Sequence, residues 1–585
     1  MRFSVLVSAA MLAAVSSAAF GQFDPPANYY STATGTGTTL KSQLHNIIDN
    51  HTVIGYSSNR EELRDLDQDP TDPSRFVLVY NRQSLPNSTS NSNWNREHTW
   101  PRGRGVDSSG PDNADLHQLR SSNISVNSDR GSLNFGGSFG QSFGQVGSFW
   151  YPGEEDAGNI ARAQFYMAVR YDGSDSSTID LELSTGNPSL SSDSLGDLNS
   201  LIDWHFAVPP DTFEQRRNDR VFDLYQGNRN PFVDHPEWAW SVIMDQQNDT
   251  RLALQGGTTA GNGSSSLDFN YGAVLVGTPM PGPESVTITE TGNDGTYYSV
   301  TPTGDATSSI IGRLNAFRPN RTGSQAITVG LDANTSVAGE YTGTVTIDNL
   351  DITTGGGAGR GANDGDDTID LSLTVLNHAA PSFSPSSAVT TLDIDLGSVE
   401  LGANAASAAL TLANVANNPS FQAALDVIEI TGEGDTDRFG LSLTPATGPG
   451  ALPAGLTRQF FAGMLTDQLG EFSVTYTIAT ADQDLPGRAF TDLTLTLTGE
   501  VIPAPLSADF NNDGVVDTAD YTVWRDGFST GDLTLSDYQA WRDEFGMSQP
   551  AAAAAPTPEP GSTFLLATLL AAGATLDSRG KKMAQ

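Results

Sequence analysis

The stretch 94–104 sets Glu97 beside His98 and surrounds the pair with Arg96, Arg102 and Arg104. A glutamate is a hard oxygen ligand for a divalent ion, a histidine is neutral and basic near pH 7, and arginine grips phosphate through a planar fork. A metal ligand, a general base and phosphate-binding cations are what hydrolysis of a phosphodiester bond requires. The competing reading is a surface loop in which Glu97 and His98 only pair with each other.

Four more stretches follow in order: Ala114-Asp115-Leu116-His117-Gln118-Leu119, Ser125-Val126-Asn127-Ser128-Asp129-Arg130, Gly158-Asn159-Ile160-Ala161-Arg162-Ala163, and Gln226-Gly227-Asn228-Arg229-Asn230-Pro231-Phe232. Together with Arg96-Glu97-His98 they resemble the bacterial endonuclease I family, secreted or periplasmic sugar-nonspecific nucleases built on a ββα-metal (His-Me finger) core. The resemblance covers about 24–245. It implies that His98 is the general base that draws a proton from the attacking water, that Glu97 and Asn127 hold one Mg²⁺, and that DNA and RNA are cut to 5′-phosphate products. Two protein ligands leave the remaining positions to water and phosphate oxygens, as magnesium prefers. For the arginine that shares transition-state charge, Arg102 and Arg104 are candidates by proximity and Arg130 by its motif. The alternative for Arg130 is a salt bridge to Asp129 or Asp115. Asp115 and His117 are expected to support the site from behind, with a purely structural role the other reading for His117. Arg216, Arg217 and Arg220 form a basic cluster that could ride a phosphate backbone, and Arg229 joins them as a substrate-binding candidate.

These groups need elements to hold them. The alternation of polar and apolar residues over 115–119 predicts a half-buried strand, and the segment around Asn127 a short helix. Helices are expected at 40–50, at 160–171, where Ile160, Ala163, Met167 and Tyr171 recur near a 3.6-residue period, and at 212–226 after Pro209-Pro210; a strand is expected at 76–80.

The net charge of −39 at pH 7 would repel nucleic acid if it lay around the cleft. Most arginines, however, precede residue 252, and the only lysines are Lys41, Lys581 and Lys582. Phosphate must therefore be gripped by arginine, with weak long-range steering and tolerance of salt.

A chain of 585 residues exceeds one core and implies several domains. The fold class expected is multidomain: an α+β nuclease domain with a ββα-metal core (20–245), a linker (246–266), two β-sandwich domains (267–380 and 385–503), and a small helical EF-hand-like module (506–547). Residues 1–19 read as a secretory signal peptide, which points to a secreted or cell-surface protein. With no cysteine, the exported chain must rely on packing and ions.

The sandwiches are a repeat: Leu267-Asp268, Gly272, Val274 and Gly277 recur 125 residues later as Leu392-Asp393, Gly397, Val399 and Gly402. Period-two alternation between Gly, Asn and Asp turns predicts strands, and the pair resembles immunoglobulin-like modules of bacterial surface proteins. A spacer role is favoured over ligand binding.

In 509–520, Asp509, Asn511, Asp513, Asp517 and Asp520 offer side-chain oxygens at positions 1, 3, 5, 9 and 12, Val515 its carbonyl at 7, and Gly514 the turn at 6, which makes a Ca²⁺ loop. The loop resembles the first repeat of type I dockerin modules, which implies a cohesin-like partner. A shift of 17 residues maps it onto Asp526, Phe528, Thr530, Asp532, Thr534 and Asp537, a set too poor in oxygen ligands for a second good site. The tail, Pro558-Glu559-Pro560 followed by apolar and then basic residues, resembles a Pro-Glu-Pro sorting signal (556–582) and implies exosortase processing and transient membrane association. The alternative to a nuclease is a cell-surface binding protein whose nuclease-like domain is inactive.

Overall fold

The computed structural model describes residues 23–173, 179–351 and 364–549. The expected leader and sorting segment, with its exosortase processing, lie outside them. The chain divides into two compact units, one running to His378 together with Leu485–Gly487, the other comprising Ala379–Asp484 and Arg488 onward.

The first unit begins with a mixed α/β region organised around the helix Glu154–Arg170, nearly all of whose residues are buried. Its first turn holds Glu154, Glu155 and Asp156 and its last Arg170, charges that complement the helix dipole. Leu40, Leu44 and Ile48, one face of the helix Gly37–Ile48, join the same core as Ile160, Met167, Trp204 and Trp238. A second, smaller cluster of Leu63, Phe76, Trp94, Leu116 and Leu119 lies under the strand Asn95–His98. That strand pairs antiparallel with Leu119–Ser122, with Glu97 opposite Arg120 and His98 opposite Leu119, and the helix Ile124–Arg130 follows.

The second strand of this hairpin is displaced from the position its alternation predicts. Asp115 to Gln118 form a turn, in which the Asp115 carbonyl accepts the Gln118 and Leu119 N–H groups, and the strand starts only at Leu119. All of 115–119 are buried, so the polar-apolar alternation there belongs to a buried turn, not to a pleat. The early strand is Asp72–Val77, and the helix after Pro210 runs Thr212–Arg220 and continues as a wider π turn over Val221–Gln226.

Beyond it, a six-stranded and a four-stranded sheet enclose a core of Val286, Ile288, Ile327, Val345, Ile347, Ile369 and Leu371. The stretch 246–266 is not a free linker: Arg251–Leu254 pairs with Glu284–Thr291 as an edge strand of the smaller sheet, burying Leu252 and Leu254. Nor does this sandwich stand apart from the nuclease-like region. Tyr297 and Leu350 belong to the core that contains Trp204 and Phe206, the Tyr297 hydroxyl donates to the His205 carbonyl at 2.6 Å, and Arg318 pairs with Asp203. A pure spacer would not contribute to that core.

The second unit repeats the architecture with sheets built on Thr391–Glu400 and Ala406–Asn414. The repeat extends to backbone detail. Ser265–Leu275 pairs parallel with Asp367–Leu376 and bulges between Asn270 and Ala273; Thr391–Glu400 pairs parallel with Phe490–Ile502 and bulges between Asp395 and Ser398. Gly272 and Gly397 sit at φ +74° in the two bulges, a conformation that excludes most side chains. The chain continues into the helices Thr518–Thr530 and Leu535–Glu544. No helix among the described residues is long and apolar enough to cross a membrane, and the expectation of transient membrane association is set aside.

Candidate active site

Glu97 is almost fully buried. Its Oε1 accepts the Tyr80 hydroxyl at 2.8 Å and lies 3.5 Å from the Arg130 guanidinium. Burial pushes its carboxyl up to about 7, against the opposing pull of Arg130 and Tyr80. His98, next in the strand, donates from Nε2 to the Asn113 carbonyl at 2.9 Å, an arrangement that leaves Nδ1 as the unprotonated nitrogen. Burial drives its pKa down to about 4, so the ring is neutral at physiological pH. The Tyr56 ring lies 5.3 Å from it. Asn127, on the helix after the hairpin, donates its amide nitrogen to the Arg96 carbonyl at 3.0 Å, which orients its Oδ1 as the side-chain atom left to bind a ligand. Asn123 caps that helix by accepting from Ser125 and Val126, fixing where Asn127 falls.

A carboxylate and an amide oxygen beside a half-buried, neutral imidazole suit a hard divalent cation. The arginines divide sharply. Arg130 is fully buried and donates to the His98 and Thr99 carbonyls at 3.1 and 2.7 Å. Its ion pair is with Glu97, not with Asp129 or Asp115, so it braces the hairpin from inside. Arg104 is equally buried and ties together the Ser132, Ser189 and Ser194 carbonyls. Arg102 is exposed, and its charge helps depress His98; of the three it alone faces solvent near the pair.

Asp115 and His117 belong to a different cluster. Asp115 accepts the Tyr166 and Tyr171 hydroxyls at 2.9 and 2.8 Å and the Gln226 amide at 3.1 Å. His117 Nε2 meets the Asn228 carbonyl at 3.2 Å, and burial lowers its pKa to about 3. They knot the core together instead of backing Glu97. The basic cluster is largely engaged within the fold: Arg217 pairs with Asp67 and donates to the Leu116 and Leu119 carbonyls, Arg220 pairs with Asp65, Arg229 with Asp219 and Asp234, and Arg216 reaches Gln68 and the Leu66 carbonyl. Arg217 and Arg229, buried and paired with carboxylates, cannot track a phosphate backbone, whereas Arg216 and Arg220 are half-buried, Arg220 with Asp65 as its partner and Arg216 with none but Gln68 and backbone carbonyls.

The sequence reading missed Tyr80 and Asn113, which orient Glu97 and His98, and took Arg96 for a phosphate-binding cation where its carbonyl orients Asn127. Asn113 and Arg96 act through backbone carbonyls, which no side-chain pattern records. Near the other end of the chain, Asp509, Asp513 and Asp520 bring carboxylate oxygens within 4.8 Å of one another, the only such group of three among the described residues. Asn511 is bonded to Asp513, whereas Asp517 accepts the Ala519 N–H as the cap of the following helix. In the second loop Asp532 is engaged by the Thr530 hydroxyl and Asp537 by Thr534.

The sequence pattern of the endonuclease I family matches residues 36–237. An extracellular ribonuclease of Bacillus amyloliquefaciens is 41% identical over 222 residues, 36% of this chain and 76% of that protein. An extracellular ribonuclease of Bacillus subtilis (strain 168) is 40% identical over 222 residues, with the same shares. The family match spans the hairpin, its helix and the core helix Glu154–Arg170. Likeness of this depth over three quarters of each relative shows that the chain belongs to the endonuclease I family and carries its nuclease domain.

Proposed function

We propose that this protein is a secreted or surface-associated, Mg²⁺-dependent endonuclease that hydrolyses RNA and DNA through Glu97, His98 and Asn127. The observation that carries the reading is the His98 geometry: Nε2 is held by the Asn113 carbonyl, and Nδ1 remains free to take a proton from water, in a ring that burial keeps neutral. Glu97 and the Asn127 Oδ1 would hold the ion, which when bound neutralises phosphate and leaving-group oxygens. Arg130 keeps the Glu97 carboxylate in place, and Arg102 is the arginine available to the phosphate. The relatives' names support RNA as one substrate and an extracellular location. The catalytic domain is assigned to 20–245, the sandwiches to 267–380 and 385–503, and a dockerin-like module to 506–547. In that module Asp509, Asn511, Asp513, Asp517, Asp520 and the Val515 carbonyl would take one Ca²⁺, a reading supported by the convergence of three of these carboxylates.

The test is incubation of the full chain with supercoiled plasmid and with single-stranded RNA, in Mg²⁺ and in EDTA. Cleavage of both in Mg²⁺, with 5′-phosphate ends and none in EDTA, is expected. Cleavage that persists in EDTA would exclude the metal-assisted reading, and no cleavage at all would favour a binding protein.

A further inference from the structure

The hairpin between the strands Gly339–Asn349 and Asp367–Leu376 closes on the pair Ile347 and Asp367. Two carboxylates flank its mouth: Asp351, just beyond the first strand, and Asp364, just before the second. Asp351 is 2% exposed and Asp364 8%. Neither side-chain oxygen of Asp351 has a hydrogen-bond partner, and Oδ1 of Asp364 has none either. The other oxygen of Asp364 is firmly held, accepting the Leu252 backbone N–H at 2.7 Å and the Asn349 amide at 2.9 Å. Asn349 is itself fixed by the Thr250 carbonyl and the Thr296 hydroxyl. Asp364 is thus clamped with one oxygen bare.

Three buried carboxylate oxygens without partners are costly, since burial strips their water and nothing replaces it. Protonation does not cure the defect. A neutral Asp351 would carry an O–H with no acceptor and a carbonyl oxygen with no donor. Nor does a side-chain cation: the Arg251 charge lowers both carboxyls, but Arg251 is exposed, and among the described residues no ion pair joins it to either one. Burial pushes the Asp351 carboxyl up to about 7, and repulsion from Asp364 and Asp348 adds to the shift, so the two bare carboxylates feel each other's charge. A hard cation would satisfy all three oxygens and cancel that repulsion.

We propose that Asp351 and Asp364 bind one divalent cation at the mouth of this hairpin, calcium in preference to magnesium, with Asp351 offering both oxygens and Asp364 its Oδ1. Calcium accepts bidentate carboxylates and an irregular shell completed by water, whereas magnesium demands near-octahedral geometry. Because Asp364 also holds the Leu252 N–H, the ion would fasten the edge strand Arg251–Leu254, the first strand after the nuclease region, to the hairpin.

The experiment uses the full chain carrying Asp509→Ala, so that the C-terminal loop does not contribute, and compares it with the same chain also carrying Asp351→Asn. Asparagine is nearly isosteric and removes a buried charge, so the variant folds; circular dichroism in EDTA verifies this. Calorimetric titration with CaCl₂ should show a binding event in the first chain that is weakened about 100-fold or more in the second, beyond the 10- to 100-fold typical of lesser disturbances of a metal site. Calcium should raise the unfolding temperature of the first chain more than that of the second, and MgCl₂ at equal concentration should produce a smaller difference between them. Asp364→Asn, which still accepts the Leu252 N–H, should behave like Asp351→Asn. Equal calcium binding and equal thermal shifts with and without Asp351, or no calcium-dependent shift in the Asp509→Ala chain, would overturn the proposal.

Discussion

Glu97 and His98 are neighbours in sequence that burial pushes in opposite directions, one up to about 7 and the other down to about 4. Burial disfavours the charged form of each, so the base is ready at neutral pH while the carboxylate must shed a proton before it can ligate a metal. The Mg²⁺ concentration for half-maximal cleavage should therefore rise about tenfold per pH unit below 7, because protons compete for Glu97, and change little above it. At saturating Mg²⁺ the rate should hold to well below pH 6, since His98 stays unprotonated. A rate titration at several pH values checks both; a magnesium requirement that is flat from pH 5 to 8 would contradict the role given to Glu97. Glu97→Ala and Asn127→Ala should each raise the magnesium requirement. Arg102→Ala should lower kcat on the order of 10²-fold, the usual effect of losing one charge-stabilising donor, without altering the unfolding temperature. Arg130→Met should instead cost about 3–5 kcal/mol of stability, because it strands the buried Glu97 carboxylate, and chemical denaturation would measure it. Glu97, His98 and Asn127 could be named from the sequence because the roles proposed for them rest on their own side-chain atoms. The fates of Arg217, Arg220 and Arg229 were not, since they depend on Asp67, Asp65 and Asp234, partners that spatial proximity alone reveals.

At the scale of elements, periodicity read well where one face meets a core and poorly where a turn is buried. Helices near 40–50 and 160–171 appear as Gly37–Ile48 and Glu154–Arg170, and the 125-residue repeat reappears as two sandwiches with the same glycine bulge. The strand expected at 115–119 failed because Asp115 is buried by its bonds to Tyr166, Tyr171 and Gln226, and polar-apolar alternation cannot distinguish such a knot from a pleat. In the two C-terminal helices the 17-residue repeat becomes a reciprocal contact: the Trp524 indole donates to the Thr534 carbonyl and the Trp541 indole to that of Asp517, both at 2.8 Å. Tyr521 and Tyr538 sit between the two tryptophans. Since the Asp509 loop feeds one half of this pair, Asp509→Ala in the full chain should abolish a calcium-dependent change in tryptophan fluorescence. Asp532→Ala should leave it nearly unchanged, because the equivalent second loop lacks converging carboxylates. Equal effects of the two substitutions would show that the loops are equivalent.

Across the whole molecule, the first sandwich is part of what keeps the nuclease region folded. A Cβ on Gly295 would meet the Phe206 ring at 2.5 Å, so the sandwich approaches that ring closely, and Tyr297 is fully buried beside His205 and Phe206. Tyr297→Ala should therefore cost about 3–5 kcal/mol, as large-to-small changes at buried aromatics do, and lower the unfolding temperature of the nuclease region while leaving its magnesium requirement unchanged. The sequence hid this docking because the stretch 246–266 has the composition of a linker, and only the pairing of Arg251–Leu254 with Glu284–Thr291 turns it into a strand. The surplus of carboxylates, −39 in net charge, leaves little long-range attraction for nucleic acid, so cleavage should depend only weakly on ionic strength between 50 and 200 mM salt, in contrast to proteins that neutralise many phosphates. The most direct measurement is the rate at which the full chain cleaves RNA in saturating Mg²⁺ with and without His98→Ala. Loss of a positioned proton acceptor should slow turnover by roughly 10²- to 10⁴-fold at an unchanged unfolding temperature. A rate within a factor of about three of the unsubstituted protein, far short of that range, would contradict the assignment of His98 as the base.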